Sequence, residues 1–394
     1  MMKFNNLWYG FCGLPPPWVS RPGHRRGPAV PGGHSHRVDR GSGVGHIGAG
    51  TADARNGPMK ILVATDAWQP QRNGVVRALQ QTSAAAARLG VTFEFLTPQE
   101  FATVPMPGYP EIPLSLARPS IVAQRIRASG ADHIHIATEG PLGFLARGAC
   151  LEAGRRFTTS YLTKFPEYIA ARMPVPQALS YAVLRWFHNA GAGVMVVTDS
   201  MERDLRTRGF RNVMRWTRGV DADLFRPRLD ADLGLKRPVF LYVGRVAVEK
   251  NVEAFLALDL PGTKLVVGDG PSRATLERRY PEARFVGAKD SDELAIHYAG
   301  ADVLVFPSRT DVFGNVMLEA LASGVPVAAF PVAGPLDVIG DEPVGVLDED
   351  LRRACLAALE IPRERCREFA LRHSWEASAR LFVGNAETVV RRAG

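Results

Sequence analysis

The chain has 394 residues, 46% of them hydrophobic and 22% charged, and a net charge of +8. It is too long for one core, since single cores stop growing near ~250 to 300 residues, and no apolar run approaches the roughly 18 residues that a membrane-spanning helix needs. The charge is weak evidence for nucleic acid, because residues 1–58 hold +5 of it in seven Lys and Arg against two Asp, leaving +3 for the rest.

Residues 1–58 also contain 12 Gly and 7 Pro with almost no hydrophobic periodicity. Such a segment cannot bury enough apolar surface to fold, so a disordered extension is expected there, and no signal peptide. At Met59 the texture changes to Met-Lys-Ile-Leu-Val-Ala-Thr-Asp66, which reads as a first buried strand and makes Met59 a candidate translation start. Short β-rich runs follow at 92–96, 133–137, 158–162 and 194–198, with helical patterns at 75–89, 121–128 and 142–153 between them. The alternation pauses over a polar, proline-punctuated stretch, then resumes with strands at 239–243, 264–267, 284–286, 303–306 and 325–330. Helices are predicted there at 252–258, 272–280, 292–299 and 314–322, and at the end of the chain at 351–359, 363–371 and 375–389. Two βα series imply two doubly wound α/β domains facing a cleft. The expected division is an extension at 1–58, a first domain at 59–220, a linker at 221–237, a second domain at 238–375 and a C-terminal helix at 376–394. Cys12, Cys150, Cys355 and Cys366 lack metal-type spacing, which suits free thiols in a reducing compartment, so the cytoplasm is expected.

In an open parallel sheet, ligands sit at the carboxyl ends of the strands. Val243-Gly-Arg-Val-Ala-Val-Glu-Lys-Asn251 places Gly244, Arg245 and Lys250 after one strand, where the two cations can clamp a diphosphate and Gly244 lets backbone approach it. Asp311-Val-Phe-Gly-Asn-Val-Met-Leu-Glu-Ala320 places Asp311 before a helix and Glu319 on it. The unpaired N–H groups of Gly314, Asn315 and Val316 suit phosphate or sugar oxygens, Glu319 can accept from a ribose diol, and Asp311 can accept from sugar hydroxyls. The set points to a nucleotide-sugar site.

These segments resemble the retaining glycosyltransferases of family 4, over residues 59 to about 390. The resemblance extends to Gln71-Arg-Asn-Gly-Val-Val76, Gly268-Asp-Gly-Pro271 and Tyr298-Ala-Gly-Ala-Asp-Val-Leu-Val-Phe-Pro-Ser308. Ala137-Thr-Glu-Gly-Pro-Leu-Gly143, Arg185-Trp-Phe-His-Asn189, Arg218-Gly-Val-Asp221 and His373-Ser-Trp-Glu376 look closest to bacterial α-mannosyltransferases that use GDP-mannose. The resemblance implies the two-domain GT-B fold and transfer of a hexose onto a lipid or glycan acceptor. It assigns the diphosphate clamp to Arg245 and Lys250, the ribose to Glu319, and the first acid of an E-x7-E motif to Asp311, where Glu is usual. Gly74 matches the glycine loop against the donor phosphate, with Asn73 beside it on the acceptor side. In this picture no metal and no cofactor is required, because Arg245 and Lys250 replace a divalent ion. The chemistry rests on positioning and electrostatics, with no evident carboxylate nucleophile.

The first domain departs from the resemblance. Where related mannosyltransferases read Tyr-His-Thr-Asn-Phe, this chain reads Tyr161-Leu-Thr-Lys-Phe165, so Leu162 can relay no proton and Lys164 adds a cation on the acceptor side. The His133-Ile-His135 pair is expected to be structural, with at most one ring facing the cleft, and Glu139 is the polar acceptor-side candidate. A UDP-sugar transferase making glycolipid or polysaccharide, or a catalytically weakened nucleotide-sugar-binding protein, stays open. A dinucleotide dehydrogenase is disfavoured, because the Gly-x-Gly-x-x-Gly match at 43–48 lies in the extension. The expected partners are a nucleotide-sugar donor and a lipid or glycan acceptor, with no nucleic acid and with room for peripheral contact with the inner membrane surface.

Overall fold

A computed structural model of the chain describes residues 58–71, 74–106, 109–170, 176–228 and 231–392. The expected extension therefore lies outside the described residues apart from Pro58, as does Asn73.

In the first half the strands are β1 (Lys60–Ala64), β2 (Thr92–Leu96), β3 (Thr103–Met106), β4 (Tyr109–Ser115), β5 (His133–Ile136), β6 (Phe157–Ser160), β7 (Gly193–Val196) and β8 (Val213–Arg215). Six of them form one parallel sheet in the order β2-β1-β5-β6-β7-β8, and β3 and β4 form a separate antiparallel pair. The helices of this half are α1 (Gly74–Arg88), α2 (Pro119–Ala128), α3 (Pro141–Glu152), α4 (Phe165–Ala170), α5 (Gln177–His188) and α6 (Asp199–Thr207). The two faces of β1 show why this sheet is covered on both sides, since successive side chains point opposite ways. Leu62 and Ala64 pack with Val122 of α2 and Leu145 of α3, while Ile61 and Val63 pack with Ala78 and Leu79 of α1.

The second half repeats the plan with β9 (Val239–Val243), β10 (Thr263–Val267), β11 (Arg284–Gly287), β12 (Val303–Phe306), β13 (Val327–Ala329) and β14 (Gly345–Leu347). Its parallel order is β11-β10-β9-β12-β13-β14. Its helices are α7 (Val252–Leu256), α8 (Arg273–Arg279), α9 (Ser291–Gly300), α10 (Asn315–Ala322), α11 (Ala333–Val338), α12 (Leu351–Ala358) and α13 (Arg363–Leu371). Leu241, Leu265 and Leu304 face α9, α10 and α13, whereas Phe240, Val266 and Val305 face α7 and α12. Two doubly wound sheets are thus present, as the alternating runs predict. The strands and helices that lacked a strong run, namely β3, β4, β8, β14, α4, α5, α6 and α11, are additions to that reading.

The last helix, α14 (Trp375–Arg391), crosses back. Its Phe382, Val383 and Ala386 are buried with Ile61, Val63 and Ala78 in the core of the first half. The outgoing connection is equally fixed: Phe225 is fully buried in the second core, and the Arg367 guanidinium donates to its carbonyl at 2.7 Å. Both crossings meet where the Val220 N–H donates to the His373 carbonyl at 3.0 Å.

Candidate active site

Two loops at the carboxyl edge of the second sheet carry the charged groups. After β9 the chain passes through Gly244, whose φ of 150° is one that side-chain-bearing residues rarely adopt, and the Tyr242 hydroxyl donates to the Arg245 carbonyl at 2.8 Å. Burial, and then the charges of Asp311 and Glu249, push the Tyr242 hydroxyl well above the ordinary phenol range, so it serves as a neutral donor. Asn251 adopts a left-handed conformation and its side-chain amide donates to the Pro307 carbonyl at 3.1 Å, while the Thr310 hydroxyl donates to the Glu249 carbonyl at 3.2 Å. These bonds tie the loop after β9 to the loop after β12. As a result the Lys250 ammonium donates to Asp311, and Arg245 lies 4.0 Å from Glu249. An ammonium has three protons, so the bond to Asp311 uses one of the Lys250 donors.

Gly314 starts α10 with φ 79°, and a Cβ there would lie 2.8 Å from the Phe306 ring, so the turn requires glycine. It delivers Asn315 and Val316 to the first helical turn, where the N–H groups have no intrahelical acceptor. Val316 packs on the second core, and Asn315 faces the first half: its side-chain nitrogen is 3.6 Å from where a Cβ on Gly74 would stand. The structure therefore brings Gly74 together with α10 across the two halves.

Glu319 is only 5% exposed, and both of its oxygens have partners. The Tyr298 hydroxyl donates to Oε2 at 3.0 Å, and the guanidinium of Arg77, on α1 of the first half, lies 2.8 Å from Oε1. Arg77 also lies 5.1 Å from the centre of the Phe225 ring, which meets Tyr298 edge-on at 5.6 Å. Arg77, Phe225, Tyr298 and Glu319 thus close a ring that joins the two halves and the connection between them. A carboxylate offers about four lone-pair directions, so Arg77 and Tyr298 do not exhaust the accepting capacity of Glu319. Arg77 carries no sequence signal for this role, since its partner is distant in the chain.

The wall contributed by the first half has a different chemistry. Glu139 is 8% exposed; its Oε1 lies 3.1 Å from His188 Nε2, and His188 Nδ1 lies 2.8 Å from the Thr159 hydroxyl. His188, on α5, is a residue that the sequence reading named only within a motif. Leu162 packs against two of the apolar clusters of this half, and one of them also takes in Val312 and Phe313 from the loop after β12. Leucine thus has a physical reason at a position where the family resemblance leads one to expect histidine. It belongs to an apolar contact that seats the Asp311 loop. Lys164 is half-buried, and among the described residues no carboxylate pairs with it.

The two histidines of β5 are both core residues. His133 and His135 each bond the Thr158 hydroxyl at 2.8 Å, and His135 also bonds the Ser160 hydroxyl at 2.8 Å. Being two residues apart they share one face of the strand, and both are buried, so neither ring faces the cleft and both are structural, as expected. Burial pushes His133 down to about 4 and His135 well below its usual value, so both are neutral hydrogen-bonding groups. Asp66, at the end of β1, is a further buried acid that the sequence reading passed over. It accepts from the Leu142 and Gly143 N–H groups at 2.8 and 3.1 Å and from the Thr138 hydroxyl at 2.9 Å, securing the start of α3, and desolvation raises it to about 6.

Comparison with known proteins adds to this geometry. The family model described as "Glycosyltransferase Family 4" matches residues 72–224, and that described as "Glycosyl transferases group 1" matches residues 237–360. A GDP-mannose-dependent alpha-mannosyltransferase of Mycobacterium tuberculosis is 28% identical over 367 residues, spanning 84% of this chain and 97% of that protein. The sulfoquinovosyl transferase SQD2 of Arabidopsis thaliana is 31% identical over 261 residues, covering 61% of this chain and 51% of its own length. Among solved structures, the sucrose-phosphate synthase of Thermosynechococcus elongatus superposes with a TM-score of 0.67 at 22% identity, covering 85% of this chain and all of that one.

Proposed function

Because the chain belongs to glycosyltransferase family 4 and has the GT-B fold, we propose that this glycosyltransferase moves mannose from GDP-mannose onto a lipid or glycan acceptor, with retention of configuration. The observation that carries the reading is the pairing of Lys250 with Asp311 beside Arg245, at the carboxyl edge of the second sheet, with Glu319 on the helix that follows. The mannose assignment is supported by the likeness to GDP-mannose-dependent relatives over nearly their whole length.

In this reading Arg245 and Lys250 bind the diphosphate and stabilise the charge that grows on it as the glycosidic bond breaks. Glu319 accepts from the ribose hydroxyls, held in place by Arg77 and Tyr298. Asp311 orients both the Lys250 ammonium and the hydroxyls of the transferred sugar. The N–H groups of Gly314, Asn315 and Val316 face the donor, and Gly74 lies against its phosphate. Glu139 and Lys164 line the acceptor side, and the positive charge of the clamp takes the place of a metal. No described helix is long and apolar enough to cross a membrane. The reading sets the enzyme in the cytoplasm, against the inner membrane surface when the acceptor is a lipid.

Thermal melting in the presence of nucleotide sugars tests the donor. At ~100 times its dissociation constant a donor adds about 2.7 kcal/mol of stability, and GDP-mannose is expected to raise the melting temperature more than any UDP-sugar at equal concentration. A larger shift with a UDP-sugar would overturn the mannose assignment. Absence of GDP release with every lipid and glycan acceptor tried would overturn transfer itself.

A further inference from the structure

The segment that follows β8 holds buried hydrogen-bond donors that find no acceptor. Trp216 is fully buried and its indole N–H has no partner among the described residues. Arg218, two residues on and 5% exposed, has its guanidinium 4.3 Å from the centre of the Trp216 ring, and its Nη1 is likewise without an acceptor. No carboxylate among the described residues pairs with Arg218, and burial lowers its guanidinium to about 9, which leaves it a cation at neutral pH. A buried cation with no counter-charge, beside an orphaned N–H, is costly in a protein interior and calls for an anion.

The backbone around these donors cannot relax to release them. The Asn385 amide donates to the Arg215 carbonyl at 2.8 Å, and the Ser378 hydroxyl donates to the Thr217 carbonyl at 2.7 Å, both from α14. A Cβ on Gly219 would stand 2.3 Å from the Trp375 nitrogen, so this backbone is pressed against the returning chain. The location suits a ligand as well. Arg218 lies just beyond the carboxyl end of β8, and Trp216 shares its cluster with Ala137 and Leu162, which follow β5 and β6 at the same edge of the sheet.

We infer that Trp216 and Arg218 form a pre-organised oxyanion subsite that takes a phosphate group, at the edge of the first sheet and separate from the Arg245 and Lys250 clamp. A guanidinium fork and an indole N–H offer several donors to the oxygens of one phosphate, which a water molecule would satisfy without neutralising the charge. The phosphate belongs either to the nucleotide donor or to a phosphorylated acceptor. The choice of phosphate over other oxyanions rests on the glycosyltransferase reading above; the presence of an anion subsite does not.

The test uses the full chain, melting curves and calorimetric titration with inorganic phosphate as the probe. In phosphate-free buffer Arg218→Met is expected to melt a few degrees above the parent protein, because an apolar chain replaces an unpaired buried charge. It should bind phosphate at least about tenfold more weakly. Lys250→Ala should weaken any phosphate bound at the clamp but keep the Arg218-dependent part of the response, which Arg218→Met loses. Arg218→Lys should keep the parent melting temperature and bind with intermediate affinity, and Trp216→Phe should lose a few-fold in affinity. A lower melting temperature for both Arg218 variants, or an Arg218→Met titration indistinguishable from the parent's, would overturn the inference. If GDP displaces the Arg218-dependent phosphate, the subsite serves the donor; if GDP and phosphate bind together, it serves the acceptor. Failure of GDP to bind at all would count against the proposed function and leave the phosphate titration to be judged separately.

Discussion

The two walls of the active site solve opposite problems. On the second half, charged groups sit on loops at strand ends, partly exposed and held by bonds between the loops, with Lys250 beside Asp311 and Arg245 beside Glu249. On the first half, Glu139, His188 and Thr159 are buried and satisfy one another, and the position where the family resemblance leads one to expect a histidine is filled by Leu162. One wall is poised for ligand charge. The other is packed for shape, so under the proposed function recognition of a charged donor and selection of an acceptor rest on different physical footings.

The largest break in that comparison should come from Lys250→Ala. Loss of a donor aimed at the leaving phosphate costs about 10² to 10³ in turnover, with the melting temperature little changed because Lys250 is a quarter exposed. Steady-state GDP release measures it, and an unaltered rate would remove Lys250 from the clamp.

The ring across the halves is the next lever. A double-mutant cycle with Arg77→Ala and Glu319→Gln is expected to show about 2 kcal/mol of coupling in unfolding free energy, the scale of a charge-assisted hydrogen bond. Additive effects within ~0.5 kcal/mol would show that the pair acts as two independent residues.

The smallest expected effect sharpens the account of the packed wall. Leu162→His should cost about 1 to 2 kcal/mol, since an imidazole displaces apolar contact with little prospect of a partner. Turnover should not rise. A variant of unchanged stability and higher activity would mean that the position is a catalytic site in disuse rather than a seat for the Asp311 loop.

Much of the fold was readable from the chain because a strand covered on both faces must be apolar at every position, as in 239–243 and 303–306. The β3–β4 pair was not, because Pro105, Pro110 and Pro113 interrupt it and proline speaks against a strand. At the site, Lys250 and Asp311 could be named because loops at strand ends follow local rules. The contact of Lys250 with Asp311 depends on β9 and β12 being neighbours in the second sheet, and that of Arg77 with Glu319 on which surfaces meet across the cleft, neither of which a local pattern encodes. Trp216 and Arg218 lay hidden for the same reason, since a missing acceptor shows only once every neighbour is placed.

The return of α14 has a bearing on how the protein is made. The ribosome finishes the second half while the first still lacks Trp375, Phe382 and Val383, three of the residues that cover Ile61 and Val63. The half synthesised first is therefore completed last, and until the final residues emerge it exposes an apolar groove that invites association with other chains. A truncation anywhere in 375–391 would be felt first in the core around Ile61 and Val63, far from the missing residues in sequence.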